Sequence, residues 1–218
     1  MRPCHLLCLA VMQLIASAES HPMLHAIAKV PRQQPLPFGV AVTSAKTAAA
    51  DVLTQKVVLR REWAALDLAR VSVFALYGAL YLGGVQYWLF CRVYPRLLPL
   101  ASRFAALPFG AKIRDTRGFM SVLAQVGLDQ GLHWPLSAIP CFYYFKGLGE
   151  GEPLAASAAA LRQHWQSDVL ACWAFWLPAD ALSFGLLPLH MQVPFAAAVS
   201  FAYTAFVSYR RGGRLGER

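Results

Sequence analysis

Acidic residues are scarce in this chain. Eleven Asp and Glu stand against twenty Lys and Arg, a formal net charge of +9. Charged residues of both signs make up 14% of the sequence, against roughly 25% in typical soluble domains. Hydrophobic residues make up 57% and the mean hydropathy is +0.44. A soluble protein of 218 residues could not hide that much apolar surface. The basic excess does not mark a nucleic-acid binder either. No basic stripe is interleaved with exposed aromatics, and the Arg-Gly-Gly-Arg run at 211–214 is too short for an RNA-binding tract.

Catalytic and metal motifs are missing too. There is no HExxH, no GxSxG, no P-loop and no dinucleotide-binding glycine fingerprint. The histidines at 5, 21, 25, 133, 164 and 190 lack metal-ligand spacing. None of the cysteines forms a CxxC pair, and Cys91, Cys141 and Cys172 lie in or beside apolar segments, where they read as small buried hydrophobes. The expectation is a chain with no metal, no cofactor and no enzymatic activity.

What the chain does have is apolar length. Phe38–Lys56, Ala69–Phe90, Arg117–Phe145 and Asp168–Leu187 are each long enough to cross a bilayer. A last apolar stretch, Met191–Tyr209, crosses or packs along the others. The expected fold is an all-α integral membrane protein, a bundle of four to five transmembrane helices. Clustered Lys and Arg at segment ends (Arg60, Arg61 and Arg70; Arg92, Arg96 and Arg103; Lys112, Arg114 and Arg117) suit headgroup anchoring. Residues 1–35 read as a targeting leader with features of a signal and of a transit peptide. Residues 36–211 read as the membrane domain, and 212–218 as a basic tail.

Small residues four apart at Ala75, Ala79 and Gly83 predict a helix contact. Gly127 and Gly131 predict a close crossing beside Asp129. Pro95 and Pro99 should end the second helix, with residues 96–116 as a basic connection. Pro135 and Pro140 should kink the third segment and free backbone carbonyls that need a partner. Lys146–Pro153 reads as a polar glycine-rich loop. Leu154–Gln166 reads as an interfacial helix, separate from the next span, which should break at Pro178.

Three of the apolar stretches carry an aspartate. A carboxylate at bilayer depth costs about 2.5–3.5 kcal/mol on insertion scales, so it should face other helices or a wet cavity. Asp51 and Gln55 share one helix face. Asp129, Gln130 and His133 cluster within one turn. Asp180 and Ser183 share a third face. These seven residues line a polar path or form a hydrogen-bonded core, where such contacts contribute about 0.6 kcal/mol each. In the sharpest form, Asp129 is ionised on a water-filled path.

Three ordered groups of residues also resemble a known family. The first is Ala50-Asp51-Val52-Leu53-Thr54-Gln55, followed by Asp67, Arg70, Gly83-Gly84 and Tyr87-Trp88. The second is Leu128-Asp129-Gln130, followed by Pro135. The third is Trp176-Leu177-Pro178-Ala179, Ser183-Phe184, Leu187-Pro188-Leu189-His190 and Val207-Ser208-Tyr209. Over roughly 37–211 the chain resembles the small membrane proteins of the Mpv-seventeen and peroxisomal membrane protein twenty-two family. The family usually has Gly where this chain has Ala50, and Arg where it has Gln192. The resemblance implies a four-helix-type protein of the mitochondrial inner membrane, the peroxisome or another organelle. The leader keeps a plastid or secretory-route membrane open. The implied function is a channel-like or transport-supporting role in small-solute homeostasis. The alternative is a non-conducting component that organises lipids or partners. The expected partner is the lipid bilayer. Self-association stays open, no nucleic acid is expected, and the solute is unspecified.

Overall fold

The computed structural model describes residues 30–215. The expected leader lies almost wholly outside the described residues, as does the end of the basic tail. All regular elements among the described residues are helical. Helix α1 spans Pro35–Val57, opening on a proline whose missing N–H costs nothing in the first turn. The chain leaves it at Arg60, which takes a left-handed φ of 53°. Helix α2 spans Leu68–Leu97, and the Asp67 side chain caps it by accepting from Arg70 N. Helices α3 (Pro99–Ala106) and α4 (Phe109–Lys112) are short. Helix α5 covers residues 116–150, capped by Asp115. Helix α6 is Leu154–Leu186 and helix α7 is Leu189–Leu215.

Several boundaries differ from expectation. Pro95 sits inside the last turn of α2, and Leu98 N still reaches Tyr94 O. Pro99 does end the helix, because the residue before a proline is pushed out of the helical region, and Leu98 has φ −130° and ψ 64°. The basic connection is not extended. Helix α3 buries Ala101 and Phe104 against Val122 and Phe184. Lys112 donates to Ala105 O and Gly185 O, satisfying carbonyls at the C-terminal ends of α3 and α6. Burial in that crook holds its amine below the usual lysine range. The glycine-rich loop shrinks to three residues. Helix α5 continues to Glu150 and stops where Gly151 adopts φ 70°, with Glu152 N returning to Gly147 O. Helix α6 runs 33 residues without a break. At Pro178 one backbone bond is lost, but a long helix held by neighbours can span that gap.

Two helices depart from α geometry. Gly78–Val85 and Leu89–Val93 of α2, and Asp129–Ala138 of α5, are π-helical, with hydrogen bonds from residue i to i−5. The wider turn resets the spacing of facing residues. Helix α1 buries Gly39, Thr43, Thr47, Asp51 and Gln55, a regular four-residue stripe. On α2 the residues that meet it include Gly78 and Gly83, five apart. A Cβ at Gly83 would lie 2.5 Å from Val40 Cα and 2.7 Å from Thr43 Oγ1. One at Gly78 would overlap Thr47 Oγ1 and the Thr43 carbonyl. Thr43 Oγ1 lies 2.7 Å from Gly78 O, and Ser44 Oγ donates to Ala75 O at 3.0 Å. Ala75 and Ala79 are half-buried on this side. The expected crossing at Gly127 and Gly131 is absent. Both are exposed, and a Cβ on either would meet nothing within 4 Å.

The burial pattern departs from that of a soluble bundle, although apolar residues such as Phe90, Val122 and Phe184 are buried as well. Buried positions include Thr43, Asp51, Gln55, Asp129, Gln130 and Asp180, while Leu76, Leu80, Trp88, Leu132, Leu136 and Leu170 are exposed. Polar side chains inside and leucines outside are what a bilayer requires. Leu68–Leu97 and Leu154–Leu186 are long and apolar enough to span one, and Leu189–Ala202 is a shorter apolar stretch. The fold is that of an all-α membrane protein.

Candidate functional site: two polar clusters and a cavity

The seven polar residues singled out from the sequence do not converge on one axis. They divide into two clusters. In the first, Asp51 Oδ1 accepts from Arg70 Nε at 2.9 Å and Asp51 Oδ2 accepts from Gln55 Nε2 at 2.8 Å. Gln55, with no exposed surface, also ties the chain between α1 and α2. Its Oε1 accepts from Asp67 N at 2.8 Å and from Arg61 Nη1 at 3.3 Å. Arg70 reaches on to Glu150 at 3.4 Å. The cluster therefore fastens the end of α1, the start of α2 and the end of α5.

The second cluster joins α2, α5 and α6. Asp129 has no exposed surface. Its Oδ1 accepts from Tyr94 OH and lies 2.8 Å from His133 Nδ1. A carboxylate oxygen only accepts, so this contact puts a proton on Nδ1. The other ring nitrogen lies 3.1 Å from Tyr81 OH, which is 2.6 Å from Ser137 Oγ. Gln130 Nε2 bridges two carboxylates, Asp180 at 2.5 Å and Asp129 at 3.3 Å. The expectation of Asp129 on a water-filled path is corrected here. Its oxygens are taken up by side chains from two helices, and aromatic rings close around it: Tyr81 stacks on His133, and Tyr94 packs on Phe90 and Phe184. Ser183 is buried in the same region, and its hydroxyl oxygen has no partner among the described residues.

The prolines of α5 find the partners that the lipid cannot give. In a π-helix the carbonyl of residue i bonds the N–H of residue i+5, and Ile139 N reaches Trp134 O in this way. Pro135 and Pro140 have no N–H, so Gln130 O and Pro135 O are left open. Two indoles from α6 fill them: Trp173 Nε1 donates to Gln130 O at 2.8 Å, and Trp165 Nε1 to Pro135 O at 3.0 Å. Trp173 reads from sequence as a packing or interface anchor. The signal for its role lay in the five-residue proline spacing, legible only once the π geometry is known.

Beside the first cluster lies a cavity of about 760 Å³, walled by α1, α2, α5, α6 and α7. Asp51 and Arg70 line it, and Asp129, Gln130, Asp180 and Ser183 do not. Lys46, Tyr143, Lys146 and Asp168 also face it. None of these four was a site candidate from sequence. Among the described residues, no group of three His, Cys, Asp or Glu is placed to hold a metal ion.

An all-α membrane bundle with a polar interior is therefore the class of protein defined here. Comparison with known proteins narrows it. The sequence model of the Mpv17 / PMP22 family matches residues 147–208. An uncharacterized protein of Schizosaccharomyces pombe is 30% identical over 98 residues, 45% of this chain and 44% of that protein. Protein sym1 of the same yeast is 26% identical over 122 residues, 52% of this chain and 59% of its own length. Protein SYM1 of Gibberella zeae is 25% identical over 176 residues, 81% of this chain and 90% of its own. The chain thus spans about half the length of the first two relatives. No solved structure matches it. The family resemblance read from the three groups of residues holds, and the chain is an organelle-membrane protein.

Proposed function

We propose that this chain is a multi-pass, non-enzymatic protein with a channel-like or transport-supporting role for small solutes. The membrane is that of the mitochondrion or the peroxisome. The observation that carries the reading is the cavity of about 760 Å³ among five helices, with charged groups on its wall. Ionisable side chains inside a membrane bundle are expensive, and they mark pathways where they border space rather than packed atoms. That volume falls in the range of small-molecule sites, roughly 300–1,000 Å³. On this reading α1, α5 and α7 join the two long spans in crossing the bilayer.

A second reading is favoured by the other cluster. Asp129, Gln130 and Asp180 are sealed and joined by hydrogen bonds, as in a structural membrane component that conducts nothing. The two readings separate in proteoliposomes. Purified full-length protein should release trapped small solutes but not a trapped dextran, with rates that rise with protein density. Vesicles as tight as protein-free controls at every density would leave the structural reading.

A further inference from the structure

The charges on the cavity wall are not equally compensated. Asp51 holds Arg70 at 2.9 Å, and Arg70 and Lys146 both reach Glu150. Asp168 accepts from Tyr143 OH at 2.6 Å. Lys46 differs. Its ammonium donates to Ser200 Oγ at 2.7 Å and has no carboxylate within 4 Å among the described residues. It lies near the middle of α1, between Thr43 and Thr47, and faces α7 across the cavity. An ammonium at bilayer depth is costly without a counter-charge. Between these charges the wall also carries the rings of Phe74, Tyr77, Trp134, Phe142, Phe175 and Trp176.

We propose that Lys46 is the anchoring cation of an anion-binding site in this cavity. Its ligand carries a carboxylate or phosphate on an apolar or aromatic body. The anionic group takes the ammonium beside Ser200, and the body lies against the rings. A charge-assisted hydrogen bond there is shielded from water and stronger than a neutral one. The same chemistry fits a soluble organic anion or the phosphate of a lipid headgroup. The inference rests on the cavity as the place where solute is held, but not on any flux through it.

The test uses full-length protein in nanodiscs of phosphatidylcholine, with phenyl phosphate as the probe and benzyl alcohol as its uncharged counterpart. Calorimetry should show phenyl phosphate binding more tightly than benzyl alcohol. Lys46→Met should weaken phenyl phosphate by at least about tenfold, the loss expected of one charge-assisted hydrogen bond. Lys46→Arg should retain binding, and benzyl alcohol should not distinguish the variants. A measurement on the unaltered protein guards against a misfolded variant. Phenyl phosphate should protect Lys46, and not Lys146, from an amine-acylating reagent read by mass spectrometry. Nanodiscs containing phosphatidylglycerol identify the source: competition marks a lipid headgroup, and its absence marks a soluble anion. Equal affinity for the two probes, or equal binding to Lys46→Met with no protection of Lys46, overturns the proposal. Vesicles that pass no solute while phenyl phosphate still binds through Lys46 would overturn the transport reading alone.

Discussion

The two buried carboxylate clusters are built from similar residues and solve the same problem differently. Around Asp51 the charge is met by a guanidinium, and the cluster borders open space. Around Asp129 and Asp180 no Lys or Arg among the described residues forms an ion pair. The oxygens are met by Tyr94, Gln130 and His133, and the surroundings are packed rings. A polar residue in a membrane helix therefore does not by itself mark a path. What distinguishes a path from a core is whether the partners are charged and whether the next layer is space or side chains.

If that contrast holds, the largest effect belongs to Arg70. Arg70→Met removes the cation and leaves Asp51 buried at 4% exposure. Breaking a buried pair from one side costs about 3–5 kcal/mol. Thermal unfolding in detergent should show that loss, and adding Asp51→Asn should recover most of it. A single variant as stable as the parent would show that Asp51 carries no charge to be compensated.

The next effect belongs to Asp129. Asp129→Asn keeps the shape but turns an acceptor toward Gln130 Nε2 into a donor. One mismatched buried group costs about 1–3 kcal/mol. Stability should fall by that amount, while the ion preference of any flux stays unchanged, since Asp129 does not line the cavity. A shift in ion preference at unchanged stability would invert the comparison between the clusters.

The sequence showed the helical fold, the apolar spans and which polar residues are interior, because hydropathy and the placement of Asp, Gln and His carry that information. It did not show which polar residues share a cluster. Asp51 and Asp129 look alike along the chain, and only the helix arrangement assigns Arg70 to one and Tyr94 to the other. It also misplaced close packing. Four-residue spacing drew attention to Gly127 and Gly131, which face open space. The true approach uses Gly78 and Gly83, five apart, because α2 is π-helical there. Lys46 was visible as a charge, but its lack of a carboxylate partner is a tertiary fact.

The smallest expected effect tests how the Asp129 side is held together. Trp173→Phe keeps an aromatic ring but removes the donor to Gln130 O. The loss should be about 1 kcal/mol, the net worth of one such bond. A coupling to Pro135 is a sharper check than that single number. Gln130 O is open because Pro135 supplies no N–H in the i+5 position. Pro135→Ala restores an N–H at that position, so in its background the carbonyl has a backbone partner and the indole becomes redundant. The cost of Trp173→Phe should then fall toward zero, a coupling that a double-mutant cycle on thermal unfolding measures directly. The same cost in both backgrounds would mean that Trp173 acts through packing alone, and that the π-helical turn satisfies its carbonyls in some other way.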